Sequence, residues 1–192
     1  MKQIFLLPGQ WAVPHEASEL TTILGPCVAV CLFDRFRGIG GMNHFLLAAG
    51  GSSGRERSRY GDTSCEDLVQ CFFASGSRPA GLEARIIGGA NVGRAVVRDG
   101  ESLGERNALM ARSVMRRHGI EVGFEDTGGA NARRLRFRTG LGILEVKTID
   151  GVSSTTATIT AGPLGASPAG LGNDERAQAG TLHTSSPEAR SR

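Results

Sequence analysis

Short apolar runs with β-strand character dominate the first 150 residues of this 192-residue chain. Turn residues separate these runs, and only two segments repeat apolar residues at helical spacing. The runs are QIFLL, CVAVCLF, GIGGMNHFLL, EARIIGG, IEVGFED, RRLRFRT and GILEVKTI. More strands than helices, in mixed order, predict an α/β fold: a single-domain layered sandwich of mixed or antiparallel sheet with two main helices.

The two helical segments each combine an apolar stripe with end signals. In DTSCEDLVQCFFASG, Thr63 and Glu66 have the spacing of a capping box ahead of the apolar residues. In GERNALMARSVMRRHG, Ala108, Ala111 and Met115 lie on one stripe, and basic residues in the last turn suit the C-terminal end of a helix. We expect each helix to pack this stripe on the sheet.

The composition changes near residue 151. Residues 151–192 are rich in Ser, Thr, Ala, Gly and Pro and nearly lack bulky apolar side chains. Such a segment cannot bury enough surface to offset the entropy lost on ordering. We therefore expect a folded domain in residues 1–150 and a low-complexity, disordered C-terminal tail in residues 151–192.

Charge and apolar content narrow the class of protein. The chain has 22 basic and 19 acidic residues but only one Tyr and one Trp, which argues against binding of nucleic acid. The N-terminal apolar run ends at Pro8, too early for a signal peptide, and no run approaches the roughly 18 residues of a membrane span. We expect a cytoplasmic protein without membrane insertion, whose four cysteines stay reduced.

Cys27 and His44 lie on consecutive strand runs that the turn DRFRG joins. If this hairpin turns between Arg35 and Phe36, the two residues are directly opposed, with Cβ atoms roughly 4.5–5.5 Å apart on one face. A thiol and an imidazole would then be within hydrogen-bond reach, as in a cysteine nucleophile and its base. Taken singly, each is more often an ordinary core residue.

The cysteine spacing argues against a zinc site. Cys27 and Cys31 would lie roughly 13 Å apart along a strand, and two cysteines six positions apart on a helix, Cys65 and Cys71, point in different directions. We expect no metal and no other cofactor.

The order of several sequence blocks adds a resemblance to a known family. The blocks are TILGPCVAVCLFD, GGMNHFLLA, YGDTSCEDLV, ARIIGGANV, LGERNALMAR and EDTGGANARRLRFRTGLGILEV. In order and spacing they resemble the CheD family of chemoreceptor glutamine deamidases over nearly all of residues 1–147. The resemblance implies a three-layer α/β fold, similar to the catalytic domain of deamidating bacterial toxins.

The resemblance also implies a site and a reaction. The family's nucleophile, histidine and threonine fall on Cys27, His44 and Thr21, and Thr22 is adjacent to Thr21. CheD proteins convert glutamines of methyl-accepting chemotaxis receptors to glutamate, and they can hydrolyse glutamyl methyl esters; some also bind a CheC-type phosphatase. The expected protein is a protein-glutamine glutaminase that forms a cysteine thioester on a helical receptor bundle.

Three further residues are expected to bind substrate. They are Gly88 and Gly89 in the loop GGAN, and Asn43 beside His44. A glycine pair permits close backbone approach or positive φ, which suits a tight turn as well as the wall of a substrate groove.

One residue departs from the family pattern. The family usually has Ser before the nucleophile, and Pro26, which has no N–H to donate to an oxyanion, stands there in this chain. Pro26 and the tail favour an alternative of another class: a catalytically weak CheD-like binding protein that docks on a receptor or a CheC-type phosphatase. A thiol at Cys27 that fails to react with alkylating probes would support this alternative.

Overall fold

Two β-sheets and a pair of helices form three layers. The structure is a computed structural model that describes residues 1–50, 54, 56–91, 97–98, 100–149 and 155–161. The strands are β1 (Lys2–Phe5), β2 (Gln10–Ala12), β3 (Ser18–Leu24), β4 (Val28–Asp34), β5 (Ile39–His44), β6 (Leu82–Gly88), β7 (Val97–Arg98), β8 (Glu101–Ser102), β9 (Glu121–Thr127), β10 (Ala132–Arg138), β11 (Ile143–Ile149) and β12 (Thr156–Ile159); the helices are α1 (Gly61–Ala74) and α2 (Leu103–Arg117).

Ten of the twelve strands form two mixed sheets, and β7 and β8 pair separately in a two-stranded antiparallel sheet. The outer sheet has the order β1-β3-β10-β11-β12, and the inner sheet has the order β2-β5-β4-β6-β9. The pairs β1–β3 and β6–β9 are parallel, and the other neighbours in both sheets are antiparallel. The layered α/β sandwich with two main helices expected from the sequence is confirmed.

The inner sheet is the middle layer and is buried on both faces. Along β4, Val28, Val30 and Leu32 pack into one core with α1 and α2, while the intervening residues pack into a second core against the outer sheet. A strand buried on both faces has no polar side to present. This is why CVAVCLF reads as an unbroken apolar run.

The outer sheet has one buried and one polar face. Along β10, Leu135 and Phe137 lie in the core between the sheets, and Arg134, Arg136 and Arg138 alternate with them on the outward face. One of them, Arg136, pairs with Glu19 of β3 and Glu145 of β11. The arginines of the run RRLRFRT therefore supply most of the polar face of β10.

The capping box lies on α2 rather than α1. The Oγ atom of Ser102 accepts a hydrogen bond from the N–H of Glu105 at 3.2 Å, and the Glu105 carboxylate accepts from the N–H of Ser102 at 2.7 Å. The expected box at Thr63 and Glu66 is wrong because α1 already begins at Gly61. There, the first N–H groups donate to carbonyls of the preceding loop, so no side-chain cap is needed.

The outer sheet extends past residue 150, where the folded domain was expected to end. Strand β12 pairs with β11, with Ile159 opposite Leu144. Its alternation of threonine with apolar residues is a strand pattern that the small side chains conceal. The remainder of the expected tail, residues 162–192, lies outside the described residues. Neither described helix is long and apolar enough to cross a membrane.

Candidate active site

The hairpin of β4 and β5 carries Cys27 and His44, in a register two residues from the expected one. Val28 pairs with Phe45, so Cys27 and His44 lie diagonally across this pair instead of directly opposite. A shift by an even number of residues leaves both side chains on the same face, here the face toward the outer sheet. Diagonal neighbours have Cα atoms roughly 7–8 Å apart, a gap that an imidazole ring spans.

A longer turn explains the shift. The Oδ1 atom of Asp34 accepts hydrogen bonds from the N–H groups of Phe36 and Arg37, at 2.9 and 3.0 Å. The N–H of Gly38, at φ +64°, donates to the Asp34 carbonyl at 2.9 Å. An Asp that bonds the turn backbone and a glycine at positive φ make a four-residue loop, which moves the hairpin centre toward β5.

The side chain that orients His44 comes from β3. The Oγ1 atom of Thr22 lies 2.8 Å from Nδ1 of His44 and donates its hydrogen to the carbonyl of Leu6, also at 2.8 Å. With this hydrogen committed, Thr22 accepts the proton of Nδ1. His44 is therefore held as the Nδ1–H tautomer, and Nε2 carries the lone pair.

The second imidazole nitrogen is buried and has no hydrogen-bond partner among the described residues. His44 is 2% exposed. An unprotonated Nε2 on the face of the sheet that also holds Cys27 is the nitrogen that would take a proton from the thiol.

Burial keeps both groups neutral in the resting protein. Burial raises the pKa of the Cys27 thiol above its ordinary value, although a hydrogen bond from its own backbone N–H offsets part of the rise. Burial lowers the pKa of His44, and its hydrogen bond to the Leu6 carbonyl offsets part of that change. Both shifts favour a thiol and a neutral imidazole as the resting pair.

Thr21, the expected third member, points away from His44. Alternation along β3 puts Leu20, Thr22 and Leu24 toward the core between the sheets and Thr21 and Ile23 on the outer face. Thr22 could have been found from the sequence. It lies two residues from both Leu20 and Leu24, so all three side chains share one face of β3.

Asn43 is occupied on the other side of the hairpin. Its Oδ1 atom accepts a hydrogen bond from the N–H of Val30 at 2.8 Å, and its Nδ2 atom donates to Sγ of Cys65 at 3.4 Å. The residue is fully buried. Its amide stands between β4 and β5 where a backbone carbonyl would normally sit, so its surroundings do not support the expected contact with substrate.

Gly88 and Gly89 form a turn that contacts the nucleophile backbone. The N–H of Gly89 donates to the Cys27 carbonyl at 2.8 Å. A Cβ atom at Gly88 would lie 2.2 Å from that carbonyl oxygen, and φ is +117° there. Only glycine permits this approach, so the turn requires Gly88 whether or not this residue also contacts substrate.

The connection between β3 and β4 carries the nucleophile from one sheet to the other. The carbonyls of Gly25, Pro26 and Cys27 accept hydrogen bonds from, respectively, the N–H of Ala90, the side-chain amide of Asn107 and the N–H of Gly89, at 2.8, 2.9 and 2.8 Å. Each peptide of the connection is thus held from a different point, which fixes the backbone at Cys27.

A cavity of about 450 Å³ lies on the far side of the Gly88–Gly89 turn. Gly104 and Gly128 line it, and both contact the turn. Cys27 does not line this cavity, so the cavity neighbours the candidate site without containing it.

Comparisons with known proteins find a family model and relatives that match this chain. A model of the family described as "CheD chemotactic sensory transduction" matches residues 47–148. A protein of Sinorhizobium medicae named "Probable chemoreceptor glutamine deamidase CheD" is 39% identical over 160 residues, which cover 81% of this chain and 85% of that protein. A protein of Trichlorobacter lovleyi with the same name is 37% identical over 144 residues, covering 75% and 89%.

Among solved structures, the hypothetical protein YfiH of Bacillus licheniformis overlaps with 56% of this chain and 45% of its own, at a TM-score of 0.36 and 19% identity. An overlap this weak carries no argument about the fold or the site.

Proposed function

Because this chain belongs to the CheD family, we propose that it is a protein-glutamine deamidase that converts selected glutamine side chains of chemoreceptors to glutamate. The names of its relatives specify this activity. The observation that carries the proposal for this chain is the fixed tautomer of His44. Its Nε2 has no hydrogen-bond partner in the part of the chain that the structure describes, and it lies on the face that His44 shares with Cys27.

In the first half of the reaction, Nε2 of His44 takes the proton of the Cys27 thiol as Sγ attacks the carboxamide carbon of glutamine. The tetrahedral intermediate carries the negative charge on the former carbonyl oxygen. As the intermediate collapses, the imidazolium gives its proton to the departing nitrogen. The C–N bond breaks, ammonia leaves and a thioester remains on Cys27.

In the second half, Nε2 takes a proton from water as the water oxygen attacks the thioester carbon. The C–S bond breaks, the thiolate recovers the proton from the imidazolium, and glutamate is released. Thr22 holds Nδ1 through both halves, so Nε2 faces the reacting atoms throughout. Thr22 takes the role that the resemblance gave to Thr21.

The backbone N–H of Cys27 is the donor that we assign to the oxyanion. It donates to no carbonyl in the described part of the chain, and it already contacts the Cys27 sulfur. Pro26 has no N–H to add a second donor from its own position. A single donor is compatible with turnover, because loss of one such donor typically costs on the order of 10²-fold to 10³-fold in rate rather than abolishing it.

The substrate that we propose is a chemoreceptor, and the location is the cytoplasm. A chemoreceptor glutamine projects from a helical bundle, so the protein accepts one helix face and works in the cytoplasm. The same thioester forms from a glutamyl methyl ester when methanol leaves in place of ammonia. We also propose a CheC-type phosphatase as a second partner. Co-purification of the two proteins tests this.

Intact mass of a purified receptor cytoplasmic fragment tests the activity. Incubation with the protein should add about 1 Da per converted glutamine and release one ammonia for each, because an amide becomes an acid. Cys27→Ala and His44→Ala should give no change.

The alternative, a docking protein without turnover, predicts a different result. A receptor fragment that binds the wild type but keeps its mass contradicts the deamidase proposal and favours docking. A mass gain that persists with Cys27→Ala contradicts the assignment of the nucleophile.

A further inference from the structure

Asn107 joins the backbones that carry the two reacting side chains. It lies on α2, is fully buried, and donates from Nδ2 to the carbonyl of Pro26 at 2.9 Å and to that of Leu46 at 2.8 Å. A carboxamide nitrogen has two N–H groups, so both are committed. Pro26 directly precedes Cys27, and Leu46 follows His44 by two residues.

The two carbonyls lie where the hairpin separates. The pair of Val28 and Phe45 exchanges two backbone hydrogen bonds, at 3.0 and 3.1 Å, and is the last such pair on this side. Beyond it, Leu46 donates its N–H to the carbonyl of Arg59, and the Cys27 carbonyl accepts from Gly89. Within the described residues, the Asn107 amide is the next link between the two strands.

The orientation of this amide is determined by its surroundings. If Oδ1 and Nδ2 were exchanged, an oxygen would face two carbonyl oxygens and neither carbonyl would have a donor. Neither carbonyl accepts a hydrogen bond from another described residue. In the connection between β3 and β4, the carbonyls of Gly25 and Cys27 accept hydrogen bonds from backbone N–H groups, which a side-chain substitution does not remove. The Pro26 carbonyl depends on the Asn107 side chain, so substitution of Asn107 frees this connection.

We propose that Asn107 is a positioning residue that sets the separation of Cys27 Sγ from His44 Nε2. This inference rests on the chemistry proposed for that pair. Asn107 touches neither side chain and acts only through the two backbones that carry them. Its loss lets the ends of β4 and β5 move apart, so it lowers the rate of proton transfer and attack while the receptor-binding surface stays unchanged.

The first test compares Asn107→Ala with Val114→Ala. Val114 is also fully buried on α2, seven residues beyond Asn107, and its side chain has no group that could hydrogen-bond to either strand. At a temperature where both variants are folded, Asn107→Ala should lower kcat for the receptor fragment at least tenfold with KM within threefold. Val114→Ala should keep kcat within twofold. Equal kcat values for the two variants, or a loss that lies in KM alone, would overturn the proposal.

The second test does not depend on deamidation. The rate at which iodoacetamide alkylates Cys27 is measured against pH, with the other three cysteines changed to serine or alanine. Coupling to His44 gives the wild-type profile an inflection that His44→Ala lacks. We expect the Asn107→Ala profile to match that of His44→Ala, and the Val114→Ala profile to match the wild type.

The outcomes separate this inference from the proposed function. An Asn107→Ala profile that keeps the wild-type inflection overturns the positioning role, and so does a wild type without the inflection, because no coupling then exists to be maintained. A coupled wild type that deamidates no receptor contradicts the proposed function and leaves the positioning role in place. Asn107→Asp, which keeps the packing volume but when ionised has no donor, should reproduce both losses if Asn107→Ala does not fold.

Discussion

The Thr22 hydroxyl lies 2.8 Å from Nδ1 of His44, and it bridges the outer and inner sheets at the candidate site. Because Thr22 passes its own hydrogen to Leu6, it can only accept from the imidazole. The bond therefore selects one tautomer of His44 as well as one ring orientation.

Thr22→Val removes this acceptor with little change in shape. We expect kcat to fall about 10- to 100-fold, as for other partners that orient a functional histidine. Thr21→Val is the matched control and should keep kcat within twofold, because Thr21 lies on the outer face. Steady-state deamidation of a receptor fragment by both variants measures the difference. The opposite ranking would restore Thr21 as the third member.

The pH profile of kcat/KM should be broad. The active form has a thiol and a neutral imidazole. Activity is lost on the acid side when His44 is protonated, and burial lowers the pKa of His44 below the ordinary 6.5. It is lost on the alkaline side when the thiol ionises, and burial raises the pKa of Cys27 above the ordinary 9.0. We expect a plateau that includes pH 6.5 to 9.0. An alkaline limb near pH 7 would contradict the neutral resting pair.

Gly88→Ala should destabilise the protein more than Gly128→Ala. Both glycines have positive φ, but a Cβ atom at Gly128 meets open space, whereas one at Gly88 lies 2.2 Å from the Cys27 carbonyl oxygen. The φ strain alone costs about 1–2 kcal/mol, and the clash should bring the loss at Gly88 to about 3 kcal/mol or more. Urea unfolding of both variants measures the difference. Equal losses would mean that the turn moves away from Cys27 without cost.

An acid-sensitive contact joins the two helices. The Glu66 carboxylate of α1 lies 2.8 Å from Nε2 of His118, which follows α2. Burial raises the pKa of Glu66, but hydrogen bonds from His118 and Gln70 outweigh it, so the net shift is downward from 4.5. A lowered carboxyl pKa adds stability above the unfolded value, and this stability is lost as the pH falls through the folded value.

Glu66→Gln should therefore lower the free energy of unfolding by about 0.5 kcal/mol at pH 7 and by less at pH 3.5, where the wild-type carboxyl is also becoming neutral. Glu56→Gln, which breaks an exposed pair with Arg59, is the control and should have almost no effect at either pH. Urea unfolding at the two pH values measures both variants. A loss at Glu66 that is the same at pH 3.5 and pH 7 would contradict the ionic contribution.

The layered fold follows from local patterns that the sequence displays. The unbroken apolar run of β4, the alternation of β10 and the stripes of the helices each indicate the number of faces that the element buries. Strands β3 and β12 were not predicted, and neither were the two- and three-residue strands β2, β7 and β8. In β12, small side chains hide the alternation, and in β3, Glu19 is buried through its pairing with arginines of a distant strand. Such pairing is set by tertiary contacts that local sequence does not encode.

The shared face of Cys27 and His44 was predicted from the sequence, but the contacts around the two residues were not. Cys27 and His44 share a face in spite of a wrong register, because the error was an even number of residues. The turn around Asp34 and Gly38 shows that side-chain bonding can lengthen a hairpin that its residue count suggests is short. The role of Asn107 could not be predicted, because its two hydrogen-bond partners are 81 and 61 residues away in the sequence.

The candidate site is formed by residues from both sheets of the sandwich. Thr22 belongs to the outer sheet, His44 to the inner sheet, and Cys27 to the connection between them. Turnover therefore depends on how closely one sheet is seated on the other, a distance that the side chains packed between them determine. A methyl group removed from that packing, far from any reacting atom, would act on catalytic rate as well as on stability. The interlayer spacing is in this sense an adjustable part of the enzyme.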